Sequence, residues 1–268
     1  MRAHEADPPP GHPEAIVRPT MAERRFTVER LAPREPLAEF VDYHWLVRWD
    51  VPAPYRQQVV PQPRVHVAAE GGRLLVHGVS QRPFFRTLEG MGHVLGAAFH
   101  PGGFRPLLRA GVGRISGTVR PAGELLAVDD RPAAARILGG HDGAEMVEAM
   151  EEYLLAVDPE PDLTGRQVTE LVALAERQAG ITRAEALAAE AGMSLRSLQR
   201  LFAEYVGVGP KWVIQRFRIL DAVAAAHTGA VTDWAALARE LGFSDQAHLV
   251  RVFAQVVGTP PASYQRAL

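Results

Sequence analysis

The chain contains no cysteine in 268 residues, which excludes disulfides and thiolate metal sites and fits a reducing cytoplasm. It contains one lysine, Lys211, so arginine supplies the rest of its 29 basic residues. We read that bias as the mark of a high-GC genome rather than of an arginine-built binding surface. No apolar run approaches the roughly 18–20 residues that a membrane helix needs. Net charge is nearly absent too: the formal value is −2, so nothing global points to a polyanion partner. From Ile181 onward nine Lys or Arg face seven Asp or Glu, a local +2. Gly-rich phosphate loops, nucleophile elbows and HExxH motifs are missing as well, and no enzyme is expected. The opening "MRAHEADPPPGHPEA" has no apolar segment after its charges. It reads as a disordered leader and not as a signal peptide.

What is present is ordinary globular material, 47% hydrophobic and 22% charged, in a length that suits two domains. Within it the chain nearly repeats itself. "LQRLFAEYVGVGP" from Leu198 and "LVRVFAQVVGTPP" from Leu249 share Leu, Arg, Phe, Ala, Val, Gly and Pro in order, 51 residues apart. Upstream, "EALAAEAGMS" matches "AALARELGFS" at an offset of 50, so one residue is inserted between the two halves of the unit. Two copies are too few for a solenoid. They are a pair of small units.

Each unit reads as helix–turn–helix. An Ala/Leu run stops at Gly192, Ser194 sits at an N-cap, and Leu195, Leu198, Leu201 and Phe202 recur at helical spacing as a buried stripe. Arg196, Gln199 and Arg200 share another face, which is long, polar and free of acids. Arg suits guanine O6 and N7, and Gln suits adenine N6 and N7. In the second copy Gly242 ends a helix and Ser244 or Asp245 caps the next. Leu249, Val252, Phe253 and Val256 form the stripe, while Ala247, Val250 and Arg251 take the places of Arg196, Gln199 and Arg200. Gln246 and His248 are neighbouring candidates. This face is less polar, and Val250 suits a thymine methyl. Between the units, Pro210 opens a bridging helix with Trp212, Phe217, Leu220 and Val223 on its apolar face. Lys211 and Arg218 are candidate phosphate contacts on it.

From about Gln167 to Leu268 the chain resembles the AraC/XylS-type DNA-binding domain. "GFSDQAHLVRVFAQVVGTPPASYQ" looks like that family's signature, and "SLRSLQRLFAEYVGVGPKWVIQRFRI" matches its first half. The resemblance implies a cytoplasmic transcription regulator whose two recognition helices enter successive major grooves of double-stranded DNA. It implies base contacts from Arg196, Gln199 and Arg200, then from Gln246, Ala247, His248, Val250 and Arg251, with Ser194 and Ser244 at the helix starts. Ala247 departs from the polar residue common there.

The front of the chain is punctuated by Pro and Gly between short strand-like runs such as "RRFTVERL", "RLLVHGVS" and "HVLGAAFH". "PLAEFVDYHWLVRWDV" begins as a helix and finishes as a strand, and residues 131–157 read as helical. "YHWLVRW", "VVPQPRVHVAAEGG" and "VHGVSQRPFFRTLEGMGHVLGAAFHPGGF" resemble the uncharacterised β-rich, cupin-like domain that precedes many AraC-type regions in high-GC bacteria. That resemblance implies a sensor or dimerisation module, with a homodimer, a small-molecule effector and RNA polymerase as partners. The helices of residues 131–157 are the expected dimer surface. His66, His77, His93 and His100 lie in this part with Glu70 and Glu89. The metal-binding cupin pattern wants two histidines one residue apart plus a glutamate, and "VHVAAE" supplies only His66 and Glu70, so neither metal nor cofactor is expected. Arg64, His66, Arg82 and Arg105 are candidate polar anchors for a ligand, against their reading as turn-flanking surface residues; the ligand-binding residues stay unassigned.

The expected architecture is α+β: a leader at 1–22, a β-rich sensor or assembly domain at 23–125, a helical connector at 126–162, and an all-α double helix–turn–helix domain at 163–268. The competing readings are a constitutive regulator whose front domain only dimerises, a metal-dependent cupin-type enzyme fused to a DNA-binding domain, and a protein-binding adaptor.

Overall fold

The computed structural model describes residues 26–82, 84–227, 231 and 233–266. The expected leader at 1–22 lies outside the described residues. The front half is a six-stranded sheet: β1 (Phe26–Leu31), β2 (Val41–Val59), β3 (His66–Glu70), β4 (Arg73–His77), β5 (Phe84–Phe99) and β6 (Val119–Pro121). Its order is β1-β2-β5-β3-β4-β6, and every pair is antiparallel. The β2–β5 ladder is interrupted between Val51 and Tyr55, and beyond that break Arg86 of β5 pairs with Glu70 of β3.

Period-two alternation separates the two faces. One face of β2 carries Leu46, which is buried with Val67, Leu74, Leu95 and Ala97. The other carries Trp45 and Trp49, and each indole lies over a glycine of β5. A Cβ on Gly96 would come within 2.3 Å of the Trp45 ring, and one on Gly92 within 2.6 Å of the Trp49 ring. Glycine is required at both positions by this approach.

A 3-10 turn at Leu37–Glu39 precedes β2, as the helix-then-strand reading of that stretch expects. Another at Val112–Ile115 precedes β6. The short helices α1 (Arg105–Leu108) and α2 (Ala122–Leu126) come after β5 and β6, and then come α3 (Arg131–Gly139) and α4 (Gly143–Ala156). Ile137, Met146, Met150 and Leu154 bury the apolar faces of α3 and α4 in the same cluster as the sheet residues. These helices are therefore part of the sheet's own core, and Leu155 is the large apolar side chain they leave exposed. Two buried carboxylates pin them. Glu151 accepts from the Arg34 amide and guanidinium and from His44 Nε2. Asp130 accepts from Leu74 N at 2.8 Å and from the Arg73 guanidinium. Burial pushes the Asp130 carboxyl up, but those donors outweigh it and hold it below the usual carboxylate range.

The back half is helical: α5 (Leu163–Arg177), α6 (Ala184–Glu190), α7 (Leu195–Tyr205), α8 (Pro210–His227), α9 (Trp234–Glu240), α10 (Gln246–Val257) and α11 (Pro261–Arg266). Asp162 caps α5 by accepting from Thr164 N and Gly165 N. Buried apolar side chains run without a break from the sheet through α5 to the last helix. Where the halves meet, backbone approaches backbone: a Cβ on Gly102 would lie 2.0 Å from the Gly165 carbonyl oxygen. Among the described residues no helix is long and apolar enough to cross a membrane.

Candidate nucleic-acid interface

The α6–α7 and α9–α10 pairs form the two expected units, and α8 joins them. In α7, Leu198 and Phe202 are fully buried while Leu195 and Leu201 are half-buried. The other side of the helix presents Arg196, Gln199 and Arg200, all exposed. Ser194 fixes where α7 starts, since its hydroxyl accepts from Ser197 N at 3.1 Å.

In α10 the buried side chains are Leu249, Phe253, Val256 and Val257. Gln246, Ala247 and Arg251 are exposed, and Val250 and His248 are half-buried. Of the two cap candidates, Asp245 fills the role: its carboxylate accepts from His248 N at 2.7 Å. That amide holds the Asp245 carboxyl below the usual range. Ser244 instead bonds sideways, to His248 Nδ1 at 3.2 Å, and the His248 ring packs edge-on against Phe243. His248 is thus engaged within its own turn. Asp245 lies 51 residues after Ser194, so the inserted residue is absorbed in the turn and each recognition helix keeps the same phase relative to its cap.

The two phosphate candidates on α8 separate. Lys211 is exposed at the start of the helix. Arg218 is 1% exposed, and its guanidinium reaches the Ala175, Glu176 and Gln178 carbonyls at the end of α5. A side chain used in this way has no reach to a phosphate. Arg216, also buried, stacks over Trp212 at 4.8 Å.

The front-half candidates do not converge on one site. Arg64 pairs with Asp42, Arg82 is exposed, and Arg105 pairs with Glu204 of α7 at 3.2 Å. His66 Nδ1 accepts from Trp45 Nε1 at 3.2 Å, and burial, then the nearby Arg64 charge, pushes its imidazole down to about 3. His77 lies 3.2 Å from Glu70, His93 Nε2 lies 2.9 Å from the Ile137 carbonyl, and His100 faces Ala38 O and Asp42. Glu89 offers its backbone carbonyl to Trp49 Nε1. Among the described residues no three His, Asp or Glu side chains stand together as a metal ligand set. Sequence reasoning missed the contacts behind these exposed faces, where the C-terminal ends of α7 and α10 both lie against the β domain. The signal available for them was the pair of repeat-equivalent glycines, Gly207 and Gly258.

Residues 29–121 match the family described as a domain of unknown function (DUF6597), and residues 187–267 match one described as a helix-turn-helix domain. Among solved structures the chain is similar to ToxT from Vibrio cholerae, with 12% identity over 91% of this chain and 99% of that one and a TM-score of 0.38. It is also similar to an unsaturated fatty acid bound ToxT from the same organism, with 14% identity over 91% and 96% and a TM-score of 0.37. Likeness at that level carries no argument about function. The helix-turn-helix match, together with the paired units of the fold, shows that the chain carries an AraC-type helix-turn-helix domain, and the other match puts a domain of unknown function in front of it.

Proposed function

We propose that this chain is a sequence-specific DNA-binding transcription regulator whose β domain answers to a small-molecule effector. The observation that carries the first part is the pair of exposed faces at equivalent positions after equivalent caps, on units joined by one rigid helix. Arg196, Gln199 and Arg200 read bases in one major groove. Gln246, Ala247, His248, Val250 and Arg251 read in the next, about one helical turn or ~34 Å away. The free first amides of α7 and the exposed Lys211 serve phosphates and set register. One candidate changes with burial: Arg218 leaves the phosphate set, while His248, whose Nδ1 faces Ser244, stays in the proposed contact set.

The effector reading rests on the sheet face that carries Trp45, His66, Glu70 and Arg86. Because His66 Nδ1 accepts from Trp45, the proton sits on Nε2 as a donor, and the neighbouring indole offers a flat apolar wall. Homodimerisation is part of the proposal through a surface other than the apolar faces of α3 and α4, which are buried on the sheet.

The test is selection of bound duplexes from a random DNA pool with the full chain. A consensus of two short elements about ten base pairs apart is expected. A pool without enrichment would overturn the reading. A thermal-shift screen of the full chain then addresses the effector, since a ligand at 100 times its Kd stabilises by about 2.7 kcal/mol.

A further inference from the structure

We propose that the β domain is a brace that sets the distance between the two recognition helices, with Ser116 holding the first unit and Gln58 the second. The inference rests on the reading that α7 and α10 contact DNA, and it assigns to Gln58 and Ser116 a positioning role in that contact.

The repeat makes the observation legible. Gly207 comes after α7 with φ +89°, and Gly258 after α10 with φ +86°. They stand 51 residues apart, at the same position of the duplicated unit. Both are left-handed glycines closing a recognition helix, where the last carbonyls have no partner inside the helix. In each unit a polar side chain of the β domain donates at that end, to the glycine's own carbonyl just after α7 and to a last-turn carbonyl of α10. Ser116 Oγ donates to the Gly207 carbonyl at 2.6 Å. Gln58 Nε2 donates to the Val256 carbonyl at 3.3 Å. Each side chain also lies against the bare Cα of its glycine. A Cβ on Gly207 would meet Ser116 Oγ at 2.5 Å, and one on Gly258 would meet the Gln58 amide oxygen at 3.1 Å.

Both donors belong to the β domain, one on a strand and one in the turn that leads into β6. Gln58 is on β2 in register with Phe85 of β5. Ser116 lies between the 3-10 turn at Val112–Ile115 and β6, and Gly117 beside it donates to the Val79 carbonyl at 3.0 Å. The two units are therefore connected twice, by α8 on one side and by the β domain on the other. That closes a triangle, which holds a distance better than a single strut. The reading faces lie toward the N-terminal ends of α7 and α10 and stay exposed while the C-terminal ends are held. The two attachments differ in strength. The first is reinforced by Arg105 on Glu204 and by the close approach of Gly113 to the Ala203 carbonyl. The second relies on Gln58, which makes it the attachment that releases first.

The absence of cysteine makes the test direct, because spin labels can be placed at E190C and E240C alone. Both residues are exposed, at the ends of α6 and α9, away from the reading faces. In the full chain the parent protein is expected to give one narrow distance distribution. Gln58→Glu, which removes the donor and sets a carboxylate against a helix C-terminus, is expected to widen it about twofold. Gln58→Lys retains a donor and is expected to restore the narrow width. Ser116→Ala combined with Gln58→Glu should widen it most, and an unchanged width in that double variant would overturn the brace. On the DNA selected by the parent, inserting one base pair between the two elements should cost the parent roughly tenfold in affinity and Gln58→Glu much less. Equal insertion penalties would also overturn it. A parent that selects no DNA would defeat the DNA reading, and the distance measurement would then judge the brace on its own.

Discussion

Arg218 Nη2 donates to the Ala175 carbonyl at 2.8 Å, so a cation on the bridging helix closes the C-terminal end of α5. Cations are favoured at that end of a helix, and the carbonyls there lack internal partners. Arg218→Leu is expected to destabilise the protein by about 3 kcal/mol, because several carbonyls lose a charged donor in a buried setting. The slope of DNA affinity against salt should stay unchanged in any variant that remains folded. Denaturant melts and binding at three salt concentrations check both; a slope lower by about one would return Arg218 to the phosphate set.

Acid sensitivity arises at His66. Burial pushes its imidazole down to about 3 against 6.5 for an ordinary histidine, so the folded chain holds fewer protons there than the unfolded chain between those values. Stability is therefore complete above pH 6.5 and falls as the solution is acidified. From pH 7 to pH 5 this one group accounts for about 2 kcal/mol. His66→Gln retains an acceptor for Trp45 and removes the titration. Urea midpoints at the two pH values should converge by that amount in the variant, and an equal acid loss would place the effect elsewhere.

Gly102 tests how rigidly the halves are joined. Its Cα faces the Gly165 backbone, which cannot turn aside as a side chain can. Gly102→Ala is expected to cost about 2–3 kcal/mol. Gly180→Ala, where nothing lies within 4 Å of the added carbon, should stay within about half a kcal/mol of the parent. Similar melting shifts for the two variants would contradict the close approach.

Arg200 carries the sharpest prediction about bases. It is exposed on α7 beside Gln199, and Arg200→Ala should cost roughly 1–3 kcal/mol while relaxing one position of the selected consensus. A uniform loss across all sequences would make it a phosphate contact instead.

The helical half was legible in the sequence because duplication fixes phase. A 51-residue offset that carries Leu198 onto Leu249 and Phe202 onto Phe253 says which side of each helix is buried. Nothing comparable marks the roles of long polar side chains. Arg218 sits in a run of arginines and apolar residues, and only the fold shows that the end of α5 comes to it. Gln58 in "YRQQVV" has no pattern of its own, since its partner lies 198 residues away. Strands β1 and β4 were readable from their Pro and Gly borders, but β2 runs through Pro52 and Pro54 and β5 through Gly90, Gly92 and Gly96, so their lengths were not. Nor was the fate of α3 and α4, because an amphipathic helix announces a buried face but not its covering. The choice between Ser244 and Asp245 turned on a single inserted residue, which sequence places only to within the turn.

Ser194 and Asp245 start their helices in the same phase, yet the reading side chains beyond them differ: Arg, Gln and Arg in one case, Ala, Val and Arg in the other. A single chain built this way has a front and a back. Under the proposed reading, such a chain laid on a duplex distinguishes one strand's direction from the other's without a palindrome. It can therefore face toward or away from a start point of transcription, and that choice is written in the unlikeness of its two near-copies.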